Sequence, residues 1–171
     1  AASKKEAANI VALVLILSFL TSAVSFFCLQ IFSSQLINWF NEPEINKWLF
    51  IPPISAFVII IFKTYNEWCV RNKYFINLSW NKITNASATT LSKVALGLLK
   101  YTSNGLVLGD LIGRIISALG CIIRAIVKDK EAFHQVSYEN IIKAAKRYKN
   151  FPKFYLPGSL IDVVNSQLPT F

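Results

Sequence analysis

The sequence predicts an all-α, multi-pass helical membrane protein, and three observations carry that expectation. Hydrophobic residues fill 54% of the 171 positions and charged residues only 16%, at a mean hydropathy of +0.45, whereas a soluble domain carries about 25% charge. The apolar residues are gathered into runs long enough to cross a bilayer, which takes about 20 residues of helix. Basic residues, 18 against 9 acidic ones for a net charge of +9, sit mostly between those runs. In a soluble chain such an excess points to nucleic acid. Distributed in this way it points to a membrane surface, and no nucleic-acid partner is expected.

The first span is expected over about 9–32. No charged residue lies between Glu6 and Glu42, and Ile10 to Phe32 is the most hydrophobic part. Lys4-Lys5 and Thr21-Ser22-Ala23 would also suit a signal peptide and its cleavage site, but the apolar run continues unbroken through Val24-Ser25-Phe26-Phe27. The second span is expected over 48–70, with Trp48 and Trp68 where an aromatic belt meets each interface. Pro52-Pro53 falls in its first turns, where a missing N–H costs little. A third, more polar helix is expected over 75–101 and a fourth span over 105–127, joined by Thr102-Ser103-Asn104 as the tight turn of an antiparallel hairpin.

Residues 128–152 turn hydrophilic and are expected to form a cytoplasmic amphipathic connection. Tyr138, Ile141, Ile142, Ala145 and Tyr148 recur at helical spacing opposite Lys143, Lys146, Arg147 and Lys149. Such a helix suits the inner leaflet, with its cations over the anionic headgroups of membrane lipids. From 153 to 171 the apolar pattern returns as the start of a further span. It is interrupted by Pro157 and Pro169 and carries Asp162, Asn165 and Gln167, and a broken, polar membrane helix lines a cavity. The absence of Met, the opening Ala1-Ala2-Ser3 and the stop at Phe171 just after Pro169 suggest a segment of a longer protein.

Charge placement gives an orientation. With the first span running from inside to outside, Lys47 and Lys100 are the only basic residues on the outer side, and Lys93 and Arg114 the only ones left within spans away from their inner ends. All the others fall on inner segments, as the positive-inside rule requires.

The chemistry-bearing residues lie on the third and fourth spans. The fourth carries Gly105, Gly109, Gly113, Ser117 and Cys121 at four-residue spacing, a ridge that lets a neighbouring helix come close. Beside it, Asp110 and Arg114 form an i,i+4 pair of opposite charge. A charge near mid-span costs about 2.5–3.5 kcal/mol on the insertion scale, so the pair is expected to face protein or a hydrated cavity, either as a structural lock or as a charged patch on a transport path. The third span presents Asn81, Asn85, Thr89, Lys93 and Gly97 at the same spacing. This stripe is expected to converge with the charged pair, as interhelical hydrogen bonds or as a cavity wall.

Cys28, Cys69 and Cys121 are far apart and in apolar surroundings, which reads as inert thiols. His134 is the only histidine and is read as a solvated loop residue, so no metal, cofactor or catalytic triad is expected and the chain is not read as an enzyme. The sequons at Asn77 and Asn85 are read as chance matches.

Ala145-Lys146-Arg147-Tyr148-Lys149-Asn150-Phe151-Pro152-Lys153-Phe154-Tyr155-Leu156-Pro157, with Ser159-Leu160 and Asn165-Ser166-Gln167-Leu168-Pro169, resembles the start of the seventh helix in bacterial polysaccharide flippases. These are the Wzx-like translocases of O-antigen and other lipid-linked oligosaccharides, within the multidrug/oligosaccharidyl-lipid/polysaccharide exporter superfamily. Asn66-Glu67-Trp68 with Arg71-Asn72-Lys73-Tyr74-Phe75 resembles that family's junction of helices four and five, and Gly97-Leu98 with Gly105-Leu106-Val107-Leu108-Gly109 its hairpin of helices five and six.

The resemblance implies that the chain is part of the N-terminal lobe of a two-lobe exporter in the bacterial inner membrane. It also implies an undecaprenyl-diphosphate-linked glycan as substrate, driven by a coupling ion, proton or sodium, or by downstream consumption. The substrate-cavity candidates are Asn85, Thr89, Lys93, Asp110, Arg114, Asp162, Asn165 and Gln167. Two other readings stay open. A drug or cation antiporter on the same fold would need mainly acidic, aromatic-lined pockets. A membrane-embedded glycan-assembly enzyme would need paired acids on a large outer loop, where Ser33 to Lys47 offers only Glu42 and Glu44.

Overall fold

The computed structural model describes residues 4–40, 43–99, 102–134 and 136–149, and among these all regular structure is helical. Helix α1 spans Lys4–Ile31 and α2 spans Ser33–Phe40, followed by a 3-10 turn at Pro43–Trp48. Then come α3 (Ile51–Arg71), α4 (Phe75–Leu98), α5 (Thr102–Lys128), α6 (Lys130–His134) and α7 (Tyr138–Tyr148). Three helical stretches are long and apolar enough to cross a membrane: Lys4–Ile31, Asn46–Arg71 and Gly105–Lys128. Helix α4 has the length, at 24 residues, but Asn77, Asn81, Lys82, Asn85 and Lys93 make it too polar to stand with them.

The chain divides into two compact units, residues 14–131 and residues 1–13 with 132–171. In the larger unit α4 and α5 pack along their lengths, and α3 lies against both. Prolines occupy the first positions of α3, where an α-helix has no use for the missing N–H. The Pro53 carbonyl accepts a hydrogen bond from the Ser22 hydroxyl at 2.6 Å, and the Phe19 and Phe57 rings meet edge to face at 5.7 Å, which ties α1 to α3.

Helix α3 stops in a two-bond C-terminal cap. The Tyr74 N–H donates to the Cys69 carbonyl and the Lys73 N–H to the Val70 carbonyl, with Lys73 at φ 59°. These are the bonds of a Schellman motif, which usually places glycine at that left-handed position. The smaller unit joins the start of α1 to α7. Asn9 is buried there, its Oδ1 accepting the Ser137 backbone N–H at 3.1 Å and its Nδ2 donating to the Lys5 carbonyl at 2.8 Å.

Several expectations need correction. Thr102–Asn104 form the first turn of α5 rather than a turn ahead of it. Nothing there stops a helix, and a first turn leaves its N–H groups unpaired in any case. The segment 33–47, expected as a loop, holds α2 and the 3-10 turn. Trp68 is only 2% exposed and so does not form a lipid-facing belt; it shares the inward face of α3 with Tyr65 and Cys69. His134 is exposed, but at the end of α6 rather than in a loop.

Candidate functional site

The α4–α5 contact is set by the glycines of the ridge. A Cβ built on Gly109 would lie 2.8 Å from the Lys93 Cα and N, and one on Gly113 would overlap the Thr89 backbone. The two backbones therefore touch, in an antiparallel register that pairs Gly109 with Lys93 and Gly113 with Thr89. The same register puts Asn85 opposite Ser117 and Asn81 opposite Cys121. Thr89 turns its hydroxyl back to the Asn85 carbonyl at 2.8 Å, and Ser117 does likewise to Gly113, so neither carries an unmet donor into the contact.

On α5 charge sits one residue beyond each close approach, at Asp110 and Arg114, and on α4 it sits at a contact residue, Lys93. Lys93 Nζ lies 2.7 Å from Asp110 Oδ1, and Arg114 Nε donates to Asp110 Oδ2. One carboxylate thus holds two cations, one on each oxygen, and the cluster keeps one net positive charge. The three side chains are each about a third exposed, at 38%, 29% and 35% for Lys93, Asp110 and Arg114. A hollow of about 400 Å³ opens beside them, lined by Ile51 and Ser55 of α3, Lys93 of α4, and Leu106, Val107 and Asp110 of α5. Arg114 does not line it and acts on the hollow only by sharing Asp110. A group entering the hollow meets the Lys93 ammonium together with the Asp110 carboxylate, which is shared with Arg114 behind it.

At the other end of the same helices lies a second polar cluster, with components missed in the sequence. Asn81, 1% exposed, donates from Nδ2 to Asn66 Oδ1 at 2.9 Å and accepts at Oδ1 from the Arg124 guanidinium. Lys128 donates to Asn77 Oδ1 at 3.1 Å, and the Tyr74 hydroxyl reaches Asp129 Oδ1 at 3.5 Å. Arg124 was read only as one more inner-side cation. The available signal was its place three residues after Cys121, on the edge of the ridge. These contacts tie α3, α4 and α5 together through residues on and just beyond the helices, so the cluster is structural glue, with the buried Asp129 Oδ2 as its one acceptor left without a hydrogen bond among the described residues.

Of the remaining candidates, Asn85 is half-buried on the α4 stripe, while Lys143, Lys146, Arg147 and Lys149 are exposed on α7. Asp162, Asn165 and Gln167 lie outside the described residues. Among the described residues, no group of His, Cys, Asp and Glu is placed to hold a metal ion. Cys28 is exposed, whereas Cys69 and Cys121 are buried. A thiol reagent added to the folded protein should therefore modify Cys28 alone, with Cys69 and Cys121 reacting only after denaturation. Rapid modification of all three would contradict this packing of α3 against α5.

Comparison with family models, with curated proteins and with solved structures finds no match to this chain.

Proposed function

We propose that this chain is part of the membrane region of an exporter that carries a lipid-linked oligosaccharide or polysaccharide precursor from the inner to the outer leaflet of the bacterial cytoplasmic membrane by alternating access. In this reading α1, α3, α4 and α5 are spans of the first lobe, with α1 running from inside to outside and α7 at the inner surface. The supporting observation is the Lys93–Asp110–Arg114 cluster: a net positive site inside a tightly packed helical hairpin, beside a hollow that three helices line. A diphosphate linkage needs such a site, because positive charge and N–H donors away from bulk water recover part of what the anion loses with its hydration. The substrate moves without covalent change, so no catalytic residue is required.

The test is transbilayer movement. With the full-length protein in vesicles, an undecaprenyl-diphosphate-linked oligosaccharide should cross between leaflets faster than in protein-free vesicles, while a phospholipid of similar charge should not. Equal rates with and without protein would overturn the reading.

A further inference from the structure

The smaller unit contains a site of its own. Where the start of α1 meets α7, a groove of about 300 Å³ is lined by Lys5, Glu6, Asn9, Asn140, Lys143 and Arg147, with Ala144 on its wall. Asn9, 2% exposed, builds it by hydrogen-bonding both to the start of α7 and to the Lys5 carbonyl. Lys143 and Arg147 are one helical turn apart and so share a face of α7. Three cations and one carboxylate leave a net charge of two positive units. The carboxylate is already engaged, because Arg147 donates to Glu6 Oε1 at 2.6 Å. Lys146 and Lys149 lie on the same helix, exposed, but do not line the groove.

The height of the groove identifies its ligand. Lys4 to Glu6 form the charged end of a helix whose next residues are apolar and which is long enough to cross a membrane. In a bilayer that end lies among lipid headgroups, where phosphodiester oxygens are the abundant anions. We infer that the groove is a headgroup site for an anionic phospholipid, its phosphate held by Lys5, Lys143 and Arg147 with the Asn140 amide as a further donor. Glu6 is the internal competitor, which occupies Arg147 when no lipid is bound. This inference rests on the chain lying in a membrane, and it is independent of what the protein transports.

The experiment incorporates the full-length protein into phosphatidylcholine bilayers holding phosphatidylglycerol as the minor lipid, extracts it gently and weighs the retained lipids by native mass spectrometry. Phosphatidylglycerol should be enriched over phosphatidylcholine. Lys143→Gln with Arg147→Gln should lower its retention by roughly fivefold per cation removed, whereas Lys146→Gln with Lys149→Gln, which remove only cations outside the groove, should lower it far less. Glu6→Gln should raise it, because Arg147 is released. Equal loss from the two double variants would overturn the site in favour of diffuse surface charge, and so would a fall in retention with Glu6→Gln. Failure of the wild-type protein to enter bilayers at all would instead remove the membrane reading on which the inference stands, so the two failures are distinguishable.

Discussion

Under the proposed export role, replacing Lys93 by Met, or Arg114 by Leu, should reduce glycan export by about 10- to 100-fold at normal protein abundance, the scale of losing one hydrogen-bonded charge from a phosphate site. The two variants act differently. Lys93→Met removes the ammonium that lines the hollow. Arg114→Leu leaves it in place but gives Asp110 wholly to Lys93, so the cluster becomes neutral. The double variant Asp110→Leu with Arg114→Leu leaves Lys93 unpaired and the net charge at its original value, and it should keep more export than Arg114→Leu alone. Arg114→Lys should retain part of the activity, since the charge survives while the planar fork is lost. If the cluster only locked α4 to α5, a triple apolar variant at positions 93, 110 and 114 would be tolerated, because buried ion pairs are often no more stabilising than good packing. Full export by that triple variant would reject the transport role.

Gly113→Leu should be the most damaging single substitution for stability. Any Cβ at this position overlaps the Thr89 backbone, which cannot swing aside as a side chain can, so α4 and α5 must separate. Overpacking of this kind costs about 1–3 kcal/mol or more. Gly120 is an internal control on the same helix, since a Cβ there meets nothing within 4 Å. Gly120→Leu should be neutral or slightly stabilising through helix propensity. Thermal unfolding in detergent measures both, and equal midpoints for Gly113→Leu and Gly120→Leu would refute the close contact.

Much of the hairpin was legible in the sequence. Gly109, Gly113, Ser117 and Cys121 recur every four residues, as do Asn81, Asn85, Thr89 and Lys93, and two such stripes on adjacent helices have few places to go except against each other. The Asp110–Arg114 pair was legible as well, because i,i+4 spacing is a local property. What sequence periodicity cannot supply is the partner across space. That Asp110 is divided between Lys93 and Arg114, and that Arg124 caps Asn81, depends on the register between helices, which the glycine contacts fix. Trp68 was misplaced for a related reason. Its distance from the end of α3 suits an interface, but the face it shares with Tyr65 and Cys69 is buried in the bundle. The segment 33–47 misled in the opposite way, since a short stretch between two strong spans, charged only at Glu42, Glu44 and Lys47, reads as a connection whether or not it coils.

The dependence of α4 on α5 has a consequence for biogenesis. In a bilayer, α4 alone would show lipid a row of amides and the ammonium groups of Lys82 and Lys93. Helix α5 supplies the cover: Arg124 for Asn81, Lys128 for Asn77 and Asp110 for Lys93. Yet α4 leaves the ribosome first. If α4 is a span, as proposed above, it must wait at the translocon or the membrane surface until α5 has been made, and the two must enter the lipid together as one hairpin. A chain cut between Leu98 and Gly105 would then leave α4 outside the bilayer even with its own sequence complete.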